Sequence, residues 1–161
     1  MSTRQEQTEF VTGPQLTAWQ RLLRANCVVS RVLDGELQAA HGLTISDYDV
    51  LVQLRDAEGN CLTMSDLSRR TTLTRSGMTR LVQGLERDGL VQRRSCRTDA
   101  RVSYAVITDN GLAVLEDARR THHAGIRRVF ADHFSTEEGE QLAELLARIP
   151  GVTDAPSARP C

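Results

Sequence analysis

Residues 72–94 read TLTRSGMTRLVQGLERDGLVQRR, and this stretch decides the fold of the 161-residue chain. At about 100° per residue, one side of a helix would carry the apolar residues Met78, Leu81, Val82 and Leu85. The side about 160° away would carry hydroxylated, basic and amide side chains: Ser76, Thr79, Arg80 and Gln83. Asp88-Gly89 ends this pattern, and an arginine-rich stretch follows. The sequence therefore predicts an amphipathic helix with an unusual polar face.

The polar face has the composition of a surface that binds double-stranded DNA. Arginine contacts guanine through two hydrogen bonds, glutamine contacts adenine, and serine or threonine contacts either base. Thr74, Arg75 and Ser76 also lie at the helix start, where backbone N–H groups and the helix dipole favour phosphate. Taken alone, the same face could be an ordinary solvated surface. The neighbouring segments favour the DNA-binding interpretation.

The flanking sequence predicts a winged helix-turn-helix. Thr63 and Asp66 predict the cap of a short helix from Met64 to about Arg70, and residues 71–73 form a tight connection. Beyond Gly89, residues 90–94 and 102–106 predict a β-hairpin around a polar loop. We expect the hairpin to contact DNA through its arginines, which are Arg93, Arg94, Arg97 and Arg101.

Charge is distributed unevenly along the chain. Residues 63–108 contain nine arginines and four acidic residues, although the whole chain has a net charge of −1. A basic middle segment within an acidic chain indicates a polyanion-binding lobe. All 20 basic residues are arginines, which suits phosphate binding but also fits the codon usage of a GC-rich genome.

The rest of the chain is predicted to be helical. Apolar spacing predicts a helix over residues 14–40, and Thr44 with Asp47 predicts the cap of a second helix. Thr108 and Ser135 predict the caps of two further helices, the first reaching about Phe130 and the second covering residues 137–149. The expected fold class is mainly α with a small β wing. A DNA-binding segment (44–108) lies between dimerisation helices (14–42 and 109–149), with a flexible start (1–13) and a disordered tail (150–161).

Several functional classes are not expected. The sequence contains no glycine-rich phosphate loop, nucleophile elbow or metal-hydrolase histidine pair, so we predict neither an enzyme nor a cofactor. His122 and His123 point about 100° apart on a helix, so no metal site is predicted. The apolar runs are far shorter than the roughly 20 residues that span a bilayer. With no signal peptide and four widely spaced cysteines, we expect a cytoplasmic protein with reduced thiols and no membrane partner.

The central segment resembles the MarR family of winged-helix transcription regulators. Residues 76–93 match the family pattern S-x-x-T-R-L-V-x-x-L-E-x-x-G-L-V-x-R. The Asp-x-Arg element of the wing is similar to Asp99-Ala100-Arg101, and the L-T-x-x-G element is similar to residues 107–111. The sequence departs from the family at Ile107, where leucine is usual, and at Ala100, where a second arginine is common. The resemblance extends over about residues 15–149.

The resemblance implies a triangular homodimer that binds a pseudo-palindromic operator, more commonly as a repressor. Arg101 would contact the minor groove, and Asp99 would shape the wing beside it. Family members are usually released from DNA by a small aromatic acid or by cysteine oxidation. Long terminal helices rich in apolar residues agree with a dimer, because a single small lobe could not cover them.

Candidate effector residues lie mainly on the first helix. An aromatic surface near an arginine suits an aromatic acid, so we expect a ligand site formed by Trp19, Arg24, Asn26 and Tyr48; simple packing of Trp19 is the alternative. Cys27, or Cys96 in the basic wing, would instead make the protein a redox-responsive regulator. A dimeric interaction module without DNA binding is a further alternative.

Overall fold

The structure is a computed structural model, and it describes residues 10–71, 73–95 and 102–152. The described part of the chain contains six α-helices. They are α1 (Gly13–His41), α2 (Ile45–Arg55), α3 (Met64–Arg70), α4 (Arg75–Arg87), α5 (Asp109–Val129) and α6 (Thr136–Ala147). Three strands accompany them: β1 (Cys61–Thr63), β2 (Val91–Ser95) and β3 (Ser103–Ile107). Two short 3-10 helices, Glu58–Asn60 and Ala131–His133, complete the regular structure of these residues.

The strands form an antiparallel sheet in the order β1-β3-β2. Cys61 lies opposite Val106, and Val91 lies opposite Ile107. Since β3 is the central strand, three consecutive residues at its end are buried: Ala105, Val106 and Ile107. All residues of β2 after Val91 are exposed. The predicted hairpin is confirmed, and β1 pairs with β3 as an edge strand.

Side-chain caps determine where the helices begin. Thr44 accepts a hydrogen bond from the Asp47 N–H at 3.0 Å, and the Asp47 carboxylate accepts one from the Thr44 N–H at 2.9 Å. Thr63 caps α3 and Thr108 caps α5, and each side chain accepts a hydrogen bond from the backbone N–H three residues later. Ser135 caps α6 with a reciprocal pair like that of α2. Each cap satisfies a backbone donor at the helix start that has no partner within the helix, and all four predicted caps are confirmed.

One hydrophobic core joins the helix-turn-helix to the longer helices. The side chains that are completely inaccessible to solvent come from α1, α2, β1, α3, α4, β3 and α5: Leu37, Val50, Leu51, Leu54, Leu62, Leu67, Met78, Val82, Ala105 and Ala118. Leu115 and Ala118 extend this core along α5. Burying one such side chain typically contributes about 1.5–3 kcal/mol, so the core fixes α4 against the scaffold.

The helices α1 and α5 approach each other closely. A Cβ atom added to Gly125 would lie 2.6 Å from the Leu33 Cδ2 atom and 2.6 Å from a Glu36 carboxylate oxygen. The carboxylate of Glu36 forms an ion pair with Arg128, and the His41 Nε2 and Thr121 Oγ1 atoms are hydrogen-bonded at 2.8 Å. These contacts connect the two helices along much of their length.

The terminal helices leave large apolar side chains in solvent. On α1 these are Trp19, Leu22, Leu23 and Val28, and towards the other end of the chain they are Phe130, Phe134, Leu145 and Ile149. No residue of α6 is buried. Within the described ranges, no helix combines the length and hydropathy needed to cross a bilayer.

Candidate nucleic-acid interface

Thr74 caps the N-terminus of α4. Its Oγ1 atom accepts a hydrogen bond from the Gly77 N–H at 3.2 Å and lies 3.2 Å from the Ser76 Oγ atom. A Cβ atom at Gly77 would lie only 3.2 Å from the same Oγ1 atom. A side chain at Gly77 would therefore make a close contact with the cap, which would have to shift by a few tenths of an ångström.

The two faces of α4 are arranged as the sequence predicts. Met78, Val82 and Leu85 are buried, and Leu81 is partly buried against them. The polar side chains that are exposed are Thr74, Arg75, Ser76, Arg80 and Gln83. Thr79 is half-buried, and its Oγ1 atom donates to the Arg75 carbonyl oxygen at 2.9 Å. The hydroxyl oxygen of Thr79 can still accept a hydrogen bond from a ligand.

The wing is attached to α4 through Glu86. The Glu86 carboxylate accepts a hydrogen bond from the Arg93 N–H at 3.2 Å. This contact links the last turns of α4 to β2. Arg94 follows, exposed, in register with Tyr104 of β3. The predicted wing residues Arg97, Asp99 and Arg101 lie outside the described residues, as does Cys96.

Arg69 and Asp66 belong to the same surface, although the sequence analysis treated Asp66 only as part of a cap. Asp66 is 3% exposed and forms an ion pair with Arg69. Together with Thr63, these residues repeat at intervals of three positions on α3. That spacing places them on one face of a helix, and it is the signal that would have identified Arg69.

The structure separates the predicted ligand residues. Trp19 is 56% exposed, and Arg24 and Asn26 are also exposed on α1. Tyr48 is buried on α2, with its ring centroid 4.4 Å from that of His122 on α5. Burial raises the pKa of the Tyr48 hydroxyl. In a single chain, therefore, Tyr48 belongs to the core and the other three residues belong to an open surface.

Burial at this α2–α5 contact favours the neutral form of His122. Its Nδ1 atom is inaccessible to solvent and has no hydrogen-bond partner among the residues that the structure describes. Burial lowers the pKa of His122, and the neighbouring His123 lowers it further. Other charged groups near the Tyr48 ring are Arg55 on α2 and Arg119 and Glu116 on α5.

This arrangement predicts acid sensitivity. Because the pKa of His122 is lower in the folded state, the unfolded chain binds the proton more readily. The stability that neutral His122 contributes is therefore complete above the unfolded pKa of about 6.5 and decreases as the pH falls below that value. We expect His122→Phe to reduce the loss of unfolding free energy between about pH 7.5 and 5, measured by urea denaturation. His133→Phe, at an exposed histidine, is the matched control. An unchanged pH dependence in His122→Phe would refute this role.

The described cysteines differ from one another. Cys27 is exposed as a thiol, with the Arg31 Nη2 atom 3.7 Å from its sulfur. Cys61, on β1, is buried. The His122 and His123 rings are nearly perpendicular, with centroids 6.3 Å apart, as expected for adjacent residues of a helix.

Comparison with known proteins agrees with this architecture. A family model described as MarR family matches residues 41–102. The transcriptional repressor YetL of Bacillus subtilis is 32% identical over 108 residues, which cover 67% of this chain and 64% of that protein. The chain thus spans slightly less than two thirds of the length of this relative.

Two solved structures from Streptomyces coelicolor extend the similarity to most of the chain. AbsC, a MarR family transcriptional regulator, is 33% identical with a TM-score of 0.79, covering 86% of this chain and 93% of that one. Sco3205, another regulator of the family, was solved in complex with DNA; it is 28% identical with a TM-score of 0.80, covering 86% of this chain and 90% of that one.

Proposed function

Because the chain belongs to the MarR family of transcriptional regulators, which are not enzymes, we propose that it is a homodimeric repressor that binds a pseudo-palindromic operator. The observation that carries this proposal is the exposed polar face of α4. Arg80 and Gln83 extend from a helix whose opposite face is anchored in the core. A similar protein, Sco3205, was solved with DNA, and YetL is named a repressor.

A second copy of the chain is the proposed cover for the exposed apolar side chains. Trp19, Leu22 and Leu23 on α1 and Leu145 on α6 are each between 36% and 56% exposed. Covering such surface is favourable by about 25 cal/mol per Å². We therefore assign residues 14–42 and 109–149 to dimerisation and residues 44–108 to DNA binding. Two α4 helices related by two-fold symmetry would bind two symmetric half-sites.

The test is selection of bound duplexes from a randomised DNA library, followed by fluorescence anisotropy with the selected duplex across a salt series. We expect one dimer per selected site and a steep loss of affinity with salt, since each neutralised phosphate contributes a slope of about −0.9 in log K against log salt. A scrambled duplex is the control. No enrichment of any sequence, together with salt-independent binding, would refute the proposal and favour a protein-interaction module.

Release by a small aromatic acid is the proposed form of regulation. Trp19 and Asn26 lie seven positions apart and so share a face of α1, and both are open to solvent in one chain. A second copy packed on α1 would enclose Trp19 and Asn26. Arg24, about 140° around the helix from Trp19, and Tyr48, in the core, would border the site. Titrating benzoate into the protein–DNA complex tests this idea. We expect release from DNA in the parent and weaker release in Arg24→Ala; equal release in both would remove Arg24 from the site.

A further inference from the structure

A cleft of about 570 Å³ lies between α3, the start of α4 and β3. Most side chains around it carry a hydroxyl group or a charge, among them Ser65, Ser68, Arg69, Arg75, Thr79 and Ser103. Hydroxyl and guanidinium groups are the usual donors to DNA phosphates. The chemistry of the cleft therefore suits a phosphodiester.

The position of the cleft agrees with its chemistry. Thr79 belongs both to the cleft wall and to the polar face of α4, whereas Ser103 begins the strand that leads out of the wing. If α4 enters a major groove and the wing reaches the adjacent minor groove, one sugar–phosphate strand separates them. That strand has to pass between α4 and the hairpin, which is where the cleft lies.

Building on the proposed DNA-binding function, we propose that this cleft holds the sugar–phosphate strand between the two grooves, and that Arg69 binds its phosphate with Asp66 as the positioning residue. Arg75, at the first position of α4, supplies a second guanidinium group on the opposite side of the cleft. Neither Arg69 nor Asp66 reads a base, so their contribution is independent of sequence.

The contacts of Asp66 explain how it positions Arg69. One carboxylate oxygen accepts a hydrogen bond from the Thr63 Oγ1 atom at 2.6 Å, and the other forms the ion pair with the Arg69 Nη2 atom. The Asp66 side chain is 4% exposed, whereas the Arg69 side chain is 58% exposed. A buried carboxylate thus anchors one edge of a guanidinium group that remains open to a ligand. An arginine held in this way loses less side-chain freedom when it binds phosphate.

The experiment measures the affinity of the full-length dimer for the selected and the scrambled duplex across a salt series. We expect Arg69→Ala to weaken binding to both duplexes by the same factor, about tenfold, and to reduce the salt slope by about one per subunit. Arg70→Ala is the matched control, because the Arg70 Nη1 atom donates to Gln53 on α2 at 3.1 Å. Its salt slope should equal that of the parent.

A double-mutant cycle tests the positioning role of Asp66. We expect Asp66→Asn to weaken DNA binding in the parent and to have no further effect in the Arg69→Ala background. A purely structural role would give the same loss in both backgrounds, and that result would overturn the assignment. Arg69→Lys supplies a variant with Asp66 intact. It should keep the salt slope of the parent while losing affinity, since lysine cannot bind phosphate through two parallel hydrogen bonds.

The two proposals fail in different ways. If the parent shows no salt-dependent DNA binding, the proposed function is wrong and the cleft has no strand to hold. If the parent binds the selected duplex but Arg69→Ala retains its affinity and salt slope, only the cleft assignment is overturned. Circular dichroism of each variant confirms that a loss of binding reflects a lost contact in a folded protein.

Discussion

Replacing Gly111 with alanine is expected to lower the free energy of unfolding by about 3 kcal/mol, a typical upper cost for forcing extra atoms into a packed site. A Cβ atom at this position would lie 2.2 Å from the Leu90 carbonyl oxygen and 2.8 Å from the Ile107 Cγ1 atom. The Leu90 carbonyl cannot simply move away, because it accepts a hydrogen bond from the Thr108 N–H at 3.0 Å. Urea denaturation at a fixed protein concentration measures the change.

Gly35→Ala is the matched control for this substitution. Gly35 is an exposed residue within α1, and no atom lies within 4 Å of an added Cβ. Alanine should therefore stabilise the protein there by up to about 1 kcal/mol through helix propensity. If both alanine variants were as stable as the parent or more so, the close approach of α5 to Leu90 would not be a constraint on the fold.

Replacing Arg80 with alanine is expected to cost about 1–3 kcal/mol of DNA-binding free energy per half-site and to relax the base preference at one position. Arg80 is exposed on the reading face, and no ion pair within the described ranges engages its guanidinium group. Arg94→Ala, on the wing, should instead weaken binding uniformly across sequences. Competition anisotropy with single-base variants of the selected duplex separates the two effects.

Arg87→Ala is the control on the same helix. Arg87 lies in the last turn of α4, and its Nε atom is 3.3 Å from an Asp88 carboxylate oxygen in an exposed pair. Such a pair contributes little to stability, so both affinity and base preference should stay close to those of the parent. Arg80→Ala and Arg94→Ala variants with identical specificity profiles would contradict the division of roles between helix and wing.

The local features of this fold were predictable from the sequence. Thr44, Thr63 and Ser135 each precede an acidic residue by three positions, and each caps a helix. The two faces of α4 follow directly from the helical period. These features depend on residues only a few positions apart, so short patterns contain most of the information needed to predict them.

The remaining features depend on contacts between distant segments. The family pattern ends in Gly111, but the reason is its approach to Leu90, 21 positions earlier. Likewise, Tyr48 was grouped with Trp19 because both are aromatic, whereas packing places it against His122. The spacing of Asp66 and Arg69 shows that they share a helix face, but the burial of the Asp66 carboxylate depends on how α3 packs. Helical periodicity cannot reveal which groups meet when separate elements come together.

The junction between α4, β2 and α5 has a mechanical consequence. Thr108 donates from its side chain to the Gly89 carbonyl oxygen at 2.7 Å and from its backbone to the Leu90 carbonyl oxygen. The corner that ends α4 is therefore joined firmly to the first residue before α5. Since α5 has 21 residues and rises about 1.5 Å per residue, it acts as a lever roughly 30 Å long. A small tilt of α5 about that corner would move its far end by a much larger distance.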